Sequence, residues 1–155
     1  MQHIEMLFAD YASYHQTKGN KAFHRLGIPL IVLTLIGMLA RVAIVQSGSM
    51  RIDAAIVLIA VAFVYYVVLE WRLAVAMLAV TVAFYFVGRA LSLWLNVALF
   101  VLGWIFQFIG HSVYEHRQPA FLRNLVHLLV GPLWILNDVV PVVKTGAGGE
   151  APAPH

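Results

Sequence analysis

Cysteine is absent from the 155-residue sequence. Without a thiol the chain has neither a disulfide framework nor a thiolate metal site, so a bound metal would need imidazole, carboxylate or amide ligands. Seven histidines are present, and they become the first candidates for metal ligands.

Charged residues are also scarce, at 11% of the chain, whereas 62% of the residues are hydrophobic. A soluble domain usually has roughly a quarter charged residues, so this composition, with a mean hydropathy of +0.86, indicates an integral membrane protein. The Lys and Arg residues are scattered at the edges of apolar runs, which argues against a nucleic-acid partner. We expect one all-α domain over residues 1–143, a polytopic transmembrane helix bundle, and a disordered tail over 144–155.

Four apolar stretches are long enough, or nearly so, for a hydrocarbon core about 30 Å thick, which takes roughly 20 helical residues. They are residues 28–46, 53–70, 73–88 and 90–110. A further segment, 119–137, contains Arg123, His127 and Pro132 and is typical of an interfacial or re-entrant helix, although a fifth span is the alternative. The sequence thus predicts an N-terminal helical segment, 1–27, four spans and one C-terminal helix.

Four spans return the chain to the side of the membrane from which it started. The segments around His24 and His111 then lie on the same side, and most of the Lys and Arg residues fall on that side too. Because cytoplasmic loops carry the excess of positive charge, we expect the N-terminus and both histidine segments in the cytoplasm, with the bacterial inner membrane as the location. A homo-oligomer is compatible with this arrangement.

The first histidine motif is YHQTKGNKAFHRLGIP, residues 14–29. On an unbroken helix His15 and His24 would point to opposite faces, because each residue advances by about 100°. Gly19 can end one helix in the left-handed conformation, and Asn20 can cap the next. The motif therefore predicts two helices folded at Gly19-Asn20, with the two histidines brought together.

The second motif is GWIFQFIGHSVYEHRQPA, residues 103–120, at the end of the fourth predicted span. Gln107, His111 and Glu115 are spaced by four residues and would form one polar stripe on a helix. Ionisable groups at such a depth are costly and normally face a bundle interior or a wet cavity, so the stripe is a candidate functional site. His116 lies about 140° from His111 on the same helix, so a helix break would be needed to use both.

A single histidine at a helix end is usually a hydrogen-bonded interfacial residue, but three on one side of the membrane favour a metal site. His15, His24 and His111, with Glu115 as a fourth oxygen ligand or an orienting partner, form a set that suits iron or zinc. His127, in an apolar run without a spaced partner, is expected to be structural.

Together the two motifs resemble one known family. The positions that carry the resemblance are Tyr14, His15, Asn20, His24, Pro29, Gly103, Trp104, Gln107, Gly110, His111, Glu115, Arg117, Pro119, Ala120 and Pro132. The pattern is similar to that of the membrane-embedded 2-hydroxy fatty acid dioxygenases, whose fungal members degrade the 2-hydroxy fatty acid derived from phytosphingosine. The resemblance covers about residues 10–137.

The resemblance implies iron(II)-dependent alpha-oxidation, in which dioxygen and a long-chain 2-hydroxy fatty acid yield a fatty acid that is one carbon shorter. It implies that His15, His24 and His111 bind the iron and that Glu115 is catalytic. The family commonly has Gly or Lys at the position of His116, so whether this residue is a ligand stays open.

Further residues of the two motifs are expected to support the site. Tyr14, Asn20 and Gln107 would orient the ligands, and Lys18 and Arg117 are candidates for holding the substrate carboxylate by charge.

Two other enzyme or cofactor classes fit the sequence less well, and one non-enzymatic class remains. Membrane di-iron hydroxylases use histidines clustered in HxxxH and HxxHH boxes, and the chain has neither box. A haem cytochrome needs two histidines that face each other within the bundle, and no predicted span carries one at its middle. A non-enzymatic alternative, a small membrane scaffold or lipid-binding protein, remains open on the sequence alone.

Overall fold

The computed structural model describes residues 2–116 and 125–143. Within these ranges the elements, in chain order, are α1 (Gln2–Ser13), α2 (Lys18–Leu39), β1 (Ala43–Ser47), β2 (Met50–Asp53), α3 (Ala54–Leu69), α4 (Trp71–Ala90), α5 (Leu93–Ile109), a π-helical turn (Gly110–Glu115) and α6 (His127–Val139). The predicted tail, 144–155, and the first part of the predicted segment 119–137 lie outside the described residues.

Three helical stretches in the described ranges are long and apolar enough to cross a membrane. They are α2, α4, and α5 together with the π-turn, Leu93–Glu115. Helix α3 is apolar too, but it has 16 residues and is shorter than the other three. The arrangement is compatible with a membrane protein, and the fourth span over α3 stays a prediction.

The predicted fold at Gly19-Asn20 is wrong by several residues. Helix α2 begins at Lys18, because the side chain of Thr17 caps it by accepting a hydrogen bond from Asn20 N at 3.2 Å. Gly19 therefore lies inside the first helical turn rather than in a left-handed conformation. The break between the helices is the four-residue linker 14–17.

The predicted span 28–46 is also wrong at both ends, since α2 runs from Lys18 to Leu39 and a β-hairpin follows. In this hairpin β1 pairs antiparallel with β2, and Ser47 faces Met50 across a two-residue loop. Gly48 takes up the loop with a φ of 55°, and Ile44 and Val45 are β-branched residues that favour a strand. Hydropathy alone could not separate this strand from the end of an apolar helix.

Helix α2 lies at the centre and packs tightly against α4 and α5. A Cβ added to Gly37 would lie 2.8 Å from the Cα of Gly88 on α4, and one added to Gly103 on α5 would lie 3.1 Å from the carbonyl oxygen of Gly27. Only glycine permits backbones to approach so closely. The close packing holds the start of α2 beside the end of α5, where the histidines lie.

Helices α1 and α6 cover this end of the bundle. His127 at the start of α6 contacts Asp10 of α1 at 2.8 Å, and Arg25 of α2 contacts Asp138 at the end of α6 at 2.9 Å. The apolar core beneath them includes Ile4, Phe8, Leu69, Leu73, Val130 and Leu133. Helix α6 is therefore fixed at its start to α1, which precedes the linker with His15, and at its end to α2, which carries His24.

Candidate metal centre

His15 is presented by the linker between α1 and α2. Its ring stacks on Tyr11 with the centroids 4.1 Å apart, and its Nδ1 donates to the carbonyl oxygen of Tyr11 at 2.7 Å. Because a carbonyl oxygen only accepts, the proton lies on Nδ1 and the lone pair on Nε2 is free. Burial lowers the pKa of His15 to about 4, which keeps the imidazole in the neutral form that binds metals.

His24 is held in the same manner one helical turn after Asn20. Its Nδ1 donates to the carbonyl oxygen of Asn20 at 2.9 Å, so its lone pair also lies on Nε2. That nitrogen lies 3.1 Å from Nε2 of His111, which comes from the π-turn at the end of α5. Gly110 allows this approach, since a Cβ there would meet the side chains of Asn20 and His24.

The three histidines converge on one point. One ring nitrogen from each lies within 4.8 Å of the others, and all three side chains are buried. Nε2 of His15 and Nδ1 of His111 have no hydrogen-bond partner. Buried polar atoms are rarely left unpaired, and backbone carbonyls commonly orient ligating histidines through their other ring nitrogen. The set therefore fits a divalent transition metal that accepts imidazole ligands.

Glu115 joins the end of the π-turn to the linker that carries His15. Its Oε1 accepts from Gln16 N at 2.9 Å, and its Oε2 accepts from Thr17 N at 3.2 Å, Thr17 Oγ1 at 3.0 Å and Asn20 Nδ2 at 3.1 Å. The carboxylate is thus occupied by four donors, and it fixes the position of the linker relative to α5.

The predicted stripe of Gln107, His111 and Glu115 is not carried by a regular α-helix. Helix α5 ends at Ile109 and the π-turn continues to Glu115, where His116 follows with a φ of 52°. The wider π-turn directs His111 toward His24 and Glu115 toward the linker. His116 is exposed, and it is not part of the histidine cluster.

The remaining predicted residues lie at different distances from the cluster. Asn20 is buried and donates to the carbonyl oxygen of Tyr14 as well as to Glu115, while the half-buried ring of Tyr14 lies edge-on to His127. Lys18 is exposed at the first residue of α2 and does not line the cavity beside the histidines. Arg117 lies outside the described residues.

A small cavity of about 60 Å³ opens beside the three histidines. Its lining consists of Tyr11, His15, His24, Ile28, Ile31, Val32, Trp104, Gln107, His111, His127, Leu128 and Pro132. The Nε2 atom of Gln107 is buried without a hydrogen-bond partner and lies against Gly27 of α2. The rest of the wall is mostly apolar or aromatic.

Two residues of this cavity were missed by the sequence analysis. Tyr11 precedes His15 by four residues, a helical spacing that could have indicated the contact. His127 was interpreted as a structural residue, but its place in this cavity was not foreseen; its Nε2 contacts Asp10 and its ring lies edge-on to Tyr11. Asp10 and His127 are 117 residues apart in the chain, so no local pattern could have joined them.

Comparison with known proteins shows the family of the chain. The family model described as 2-hydroxy-palmitic acid dioxygenase Mpo1-like matches residues 1–142. The chain belongs to the Mpo1-like family. This Mpo1-like chain is 33% identical over 129 residues to the 2-hydroxy-palmitic acid dioxygenase MPO1 of Saccharomyces cerevisiae, an alignment that covers 83% of the chain and 74% of the yeast protein. No solved structure matches it. The family resemblance of the two motifs is thereby confirmed.

Proposed function

We propose that the chain is an iron(II)-dependent dioxygenase that shortens long-chain 2-hydroxy fatty acids by one carbon. The observation that carries this proposal is the convergence of three buried imidazoles beside an apolar cavity, in a chain whose yeast relative is named a 2-hydroxy-palmitic acid dioxygenase. His15, His24 and His111 would hold the iron. When bound, ferrous iron would supply the chemistry that makes dioxygen reactive toward a 2-hydroxy acid.

The atoms of the proposed reaction balance with one molecule of dioxygen. The bond between the carboxyl carbon and the 2-carbon breaks, the 2-carbon becomes the new carboxyl group, and the former carboxyl carbon leaves as carbon dioxide with one water. The 2-hydroxy acid is oxidised and dioxygen is reduced, so no further reductant is needed.

Gln107 would orient the polar end of the substrate. Gln107 lines the cavity beside the histidines, and its unpaired Nε2, which lies against Gly27, could donate to the carboxylate or the 2-hydroxyl group after a rotation of the side chain. Lys18 would act only through its charge, because its side chain is exposed and does not line the cavity. Arg117 keeps the carboxylate role that the motif suggests.

Glu115 would act as a positioning residue rather than as a ligand. Its Oε2 accepts three hydrogen bonds and its Oε1 accepts one from Gln16 N, and Glu115 is not among the residues whose ligand atoms converge with those of the three histidines. By fixing the linker it would hold His15 in place relative to His24 and His111. Such supporting contacts typically change metal affinity or activity by about 10–100-fold.

We also propose that the site faces the cytoplasm in a bacterial inner membrane. His15, His24 and His111 lie together at one end of the bundle, and the hairpin lies at the other end of α2. The excess of Lys and Arg residues near the histidine end supports a cytoplasmic orientation. An apolar acid already dissolved in the membrane would then reach the cavity from the side.

The test is turnover by purified protein loaded with ferrous iron under anaerobic conditions. Addition of 2-hydroxypalmitate and oxygen should give pentadecanoic acid, with one dioxygen consumed per product molecule. Zinc-loaded protein and 3-hydroxypalmitate serve as matched controls and should give none. If iron binds but no pentadecanoic acid forms, the proposed reaction is wrong, and a non-enzymatic lipid-binding role would then be favoured.

A further inference from the structure

A second, larger cavity lies deeper in the bundle, between α2, α3, α4 and α6. Its volume is about 330 Å³, within the range of roughly 300–1,000 Å³ that is usual for small-molecule sites. It shares Val32, Leu128 and Pro132 with the cavity beside the histidines. The two cavities are therefore adjacent where α2 contacts α6.

The wall of the deep cavity has almost no polar groups that could bind water. Among its lining residues, the side chains with hydroxyl groups are Tyr66 and Thr81, and both hydroxyls donate to backbone carbonyls. A buried water needs two to four polar partners, which this wall does not provide. An empty apolar cavity of this size would destabilise the fold, so the space calls for an apolar occupant.

We propose that the deep cavity receives the acyl tail of the substrate and sets the chain length that the enzyme accepts. This inference rests on the proposed function, which places the carboxyl end of a 2-hydroxy fatty acid beside the three histidines. Because the cavity beside the histidines and the deep apolar cavity share wall residues, one molecule with a polar head and a long apolar tail fits both. Binding of a membrane lipid tail would not require a cavity that shares wall residues with the histidine site.

The length of the path fits a long chain. Leu35, in the deep cavity, follows His24 on α2 by eleven residues, which is about 16 Å along a helix. Helix α3 begins directly after the hairpin, at Ala54, and residues of both α2 and α3 line the deep cavity. Leu58 therefore lines the deep part of the path, and Ala62, one turn later, lines its middle.

The experiment compares variants of the wall across 2-hydroxy acids from octanoate to stearate. Ala62→Phe places a ring in the middle of the path, so kcat/KM for 2-hydroxypalmitate should fall by about fourfold for each methylene displaced. For 2-hydroxyoctanoate, kcat/KM of the variant should stay within about twofold of the wild-type value. Leu58→Ala enlarges the deep end and should shift the preference to longer acids. Val64→Phe, on the same helix but 64% exposed on the outer face, is the matched control and should leave the profile unchanged.

Binding to metal-free protein gives an independent measurement. Trp104 lines the cavity beside the histidines, so its fluorescence reports occupancy by acids of different length. Ala62→Phe should weaken the binding of long acids selectively. Equal effects on all chain lengths, or unchanged profiles in both Ala62→Phe and Leu58→Ala, would overturn the inference, and so would a matching shift in Val64→Phe. If wild-type protein bound the acids with this length dependence but did not turn them over, the proposed reaction alone would be lost.

Discussion

The two ends of the helix bundle treat buried polar groups differently. At the hairpin end, the fully buried Asp53 caps α3 by accepting from Ile56 N at 3.1 Å and accepts from the Tyr85 hydroxyl at 2.6 Å. Arg89 donates to the same Tyr85 hydroxyl at 2.9 Å. Asn96 donates to backbone carbonyls of the α4–α5 turn, and its side-chain oxygen lies against Gly37.

At the histidine end the chain leaves ring and amide nitrogens unpaired. Nε2 of His15, Nδ1 of His111 and Nε2 of Gln107 are buried without partners, and all three residues line one cavity. The oxygen of Asn20, in contrast, lies against Gly110 in the same way as that of Asn96 lies against Gly37. Nε2 of Gln107 likewise lies against Gly27. What distinguishes this end is therefore the unpaired ring nitrogens of His15 and His111, two residues that line one cavity together with His24.

The comparison separates a structural polar cluster from a ligand site. Where the chain pairs its own buried groups, their loss should reduce stability. Where it leaves them unpaired around a cavity, their loss should reduce binding and leave the fold largely intact. Variants at the two ends can test this division.

The largest effect is expected from the histidines. His111→Ala removes one of three converging imidazoles, so the affinity for iron should fall by at least about 100-fold, beyond the loss typical of a supporting residue, and turnover should cease. Iron content after desalting measures this directly. His116→Ala, five residues away and exposed, is the control and should retain iron. Retention of iron by His111→Ala and its loss from His116→Ala would reverse the assignment.

The next largest effect is expected at the hairpin end. Asp53→Ala removes a helix cap and leaves the Tyr85 hydroxyl without its acceptor, which should lower the free energy of unfolding by about 2–3 kcal/mol. Denaturation in detergent, followed by circular dichroism, measures this loss, and Asp53→Asn should lose less. Iron content per folded chain should be unchanged. A loss of iron in folded Asp53→Ala would break the division between the two ends.

A smaller effect on binding is expected from the carboxylate that holds the linker. Glu115→Ala frees Gln16, Thr17 and Asn20 together, so His15 should be less well placed and iron affinity should fall by about 10–100-fold. Glu115→Gln keeps an acceptor oxygen and should lose less. If Glu115→Ala removed iron as completely as His111→Ala, Glu115 would be a ligand and the positioning role would be wrong.

The contact between Gly19 and Tyr114 should give a modest effect. A Cβ on Gly19 would overlap the Tyr114 ring, but Tyr114 is 43% exposed and its side chain can move, so Gly19→Ala should cost only about 1 kcal/mol. Adding Tyr114→Ala should restore the stability, measured by thermal unfolding. If the double variant were no more stable than Gly19→Ala, the loss of stability would come from the backbone conformation at Gly19, as expected for the left-handed hinge that the sequence predicted.

Two cysteine variants test the orientation of the ends with the least disturbance. The chain has no cysteine, and both Ser13 and Ser49 are exposed, so each can carry a single label. In intact bacterial cells a membrane-impermeant maleimide should label Ser49→Cys, and it should label Ser13→Cys only after permeabilisation. The reverse pattern would place the histidine end outside the cytoplasm.

The meeting of His15, His24 and His111 could be predicted from the sequence because it depends only on span parity and on a chain break near His15. The predicted break was misplaced, since the cap at Thr17 begins α2 before Gly19 can end a helix. That error did not affect the meeting, because a linker at 14–17 serves the same purpose. Whether the three residues bind a metal stays a prediction.

Other features could not be predicted from one sequence because they depend on contacts between distant segments. Strand β1, Ala43–Ser47, begins with three apolar residues that continue the apolar run of α2, and its pairing with β2, Met50–Asp53, distinguishes it from the end of that helix. The contact of His127 with Asp10, and the four bonds to Glu115, join segments about a hundred residues apart. Hydropathy and helical spacing carry no information about such pairs.

Anaerobic titration of metal-free protein with ferrous iron tests the central claim most directly. The wild-type chain should bind one iron, and the variant with His15, His24 and His111 all replaced by alanine should bind none while unfolding with a midpoint close to that of metal-free wild type. Equal iron binding by the wild type and the triple variant, or no iron binding by correctly folded wild type, would contradict the account.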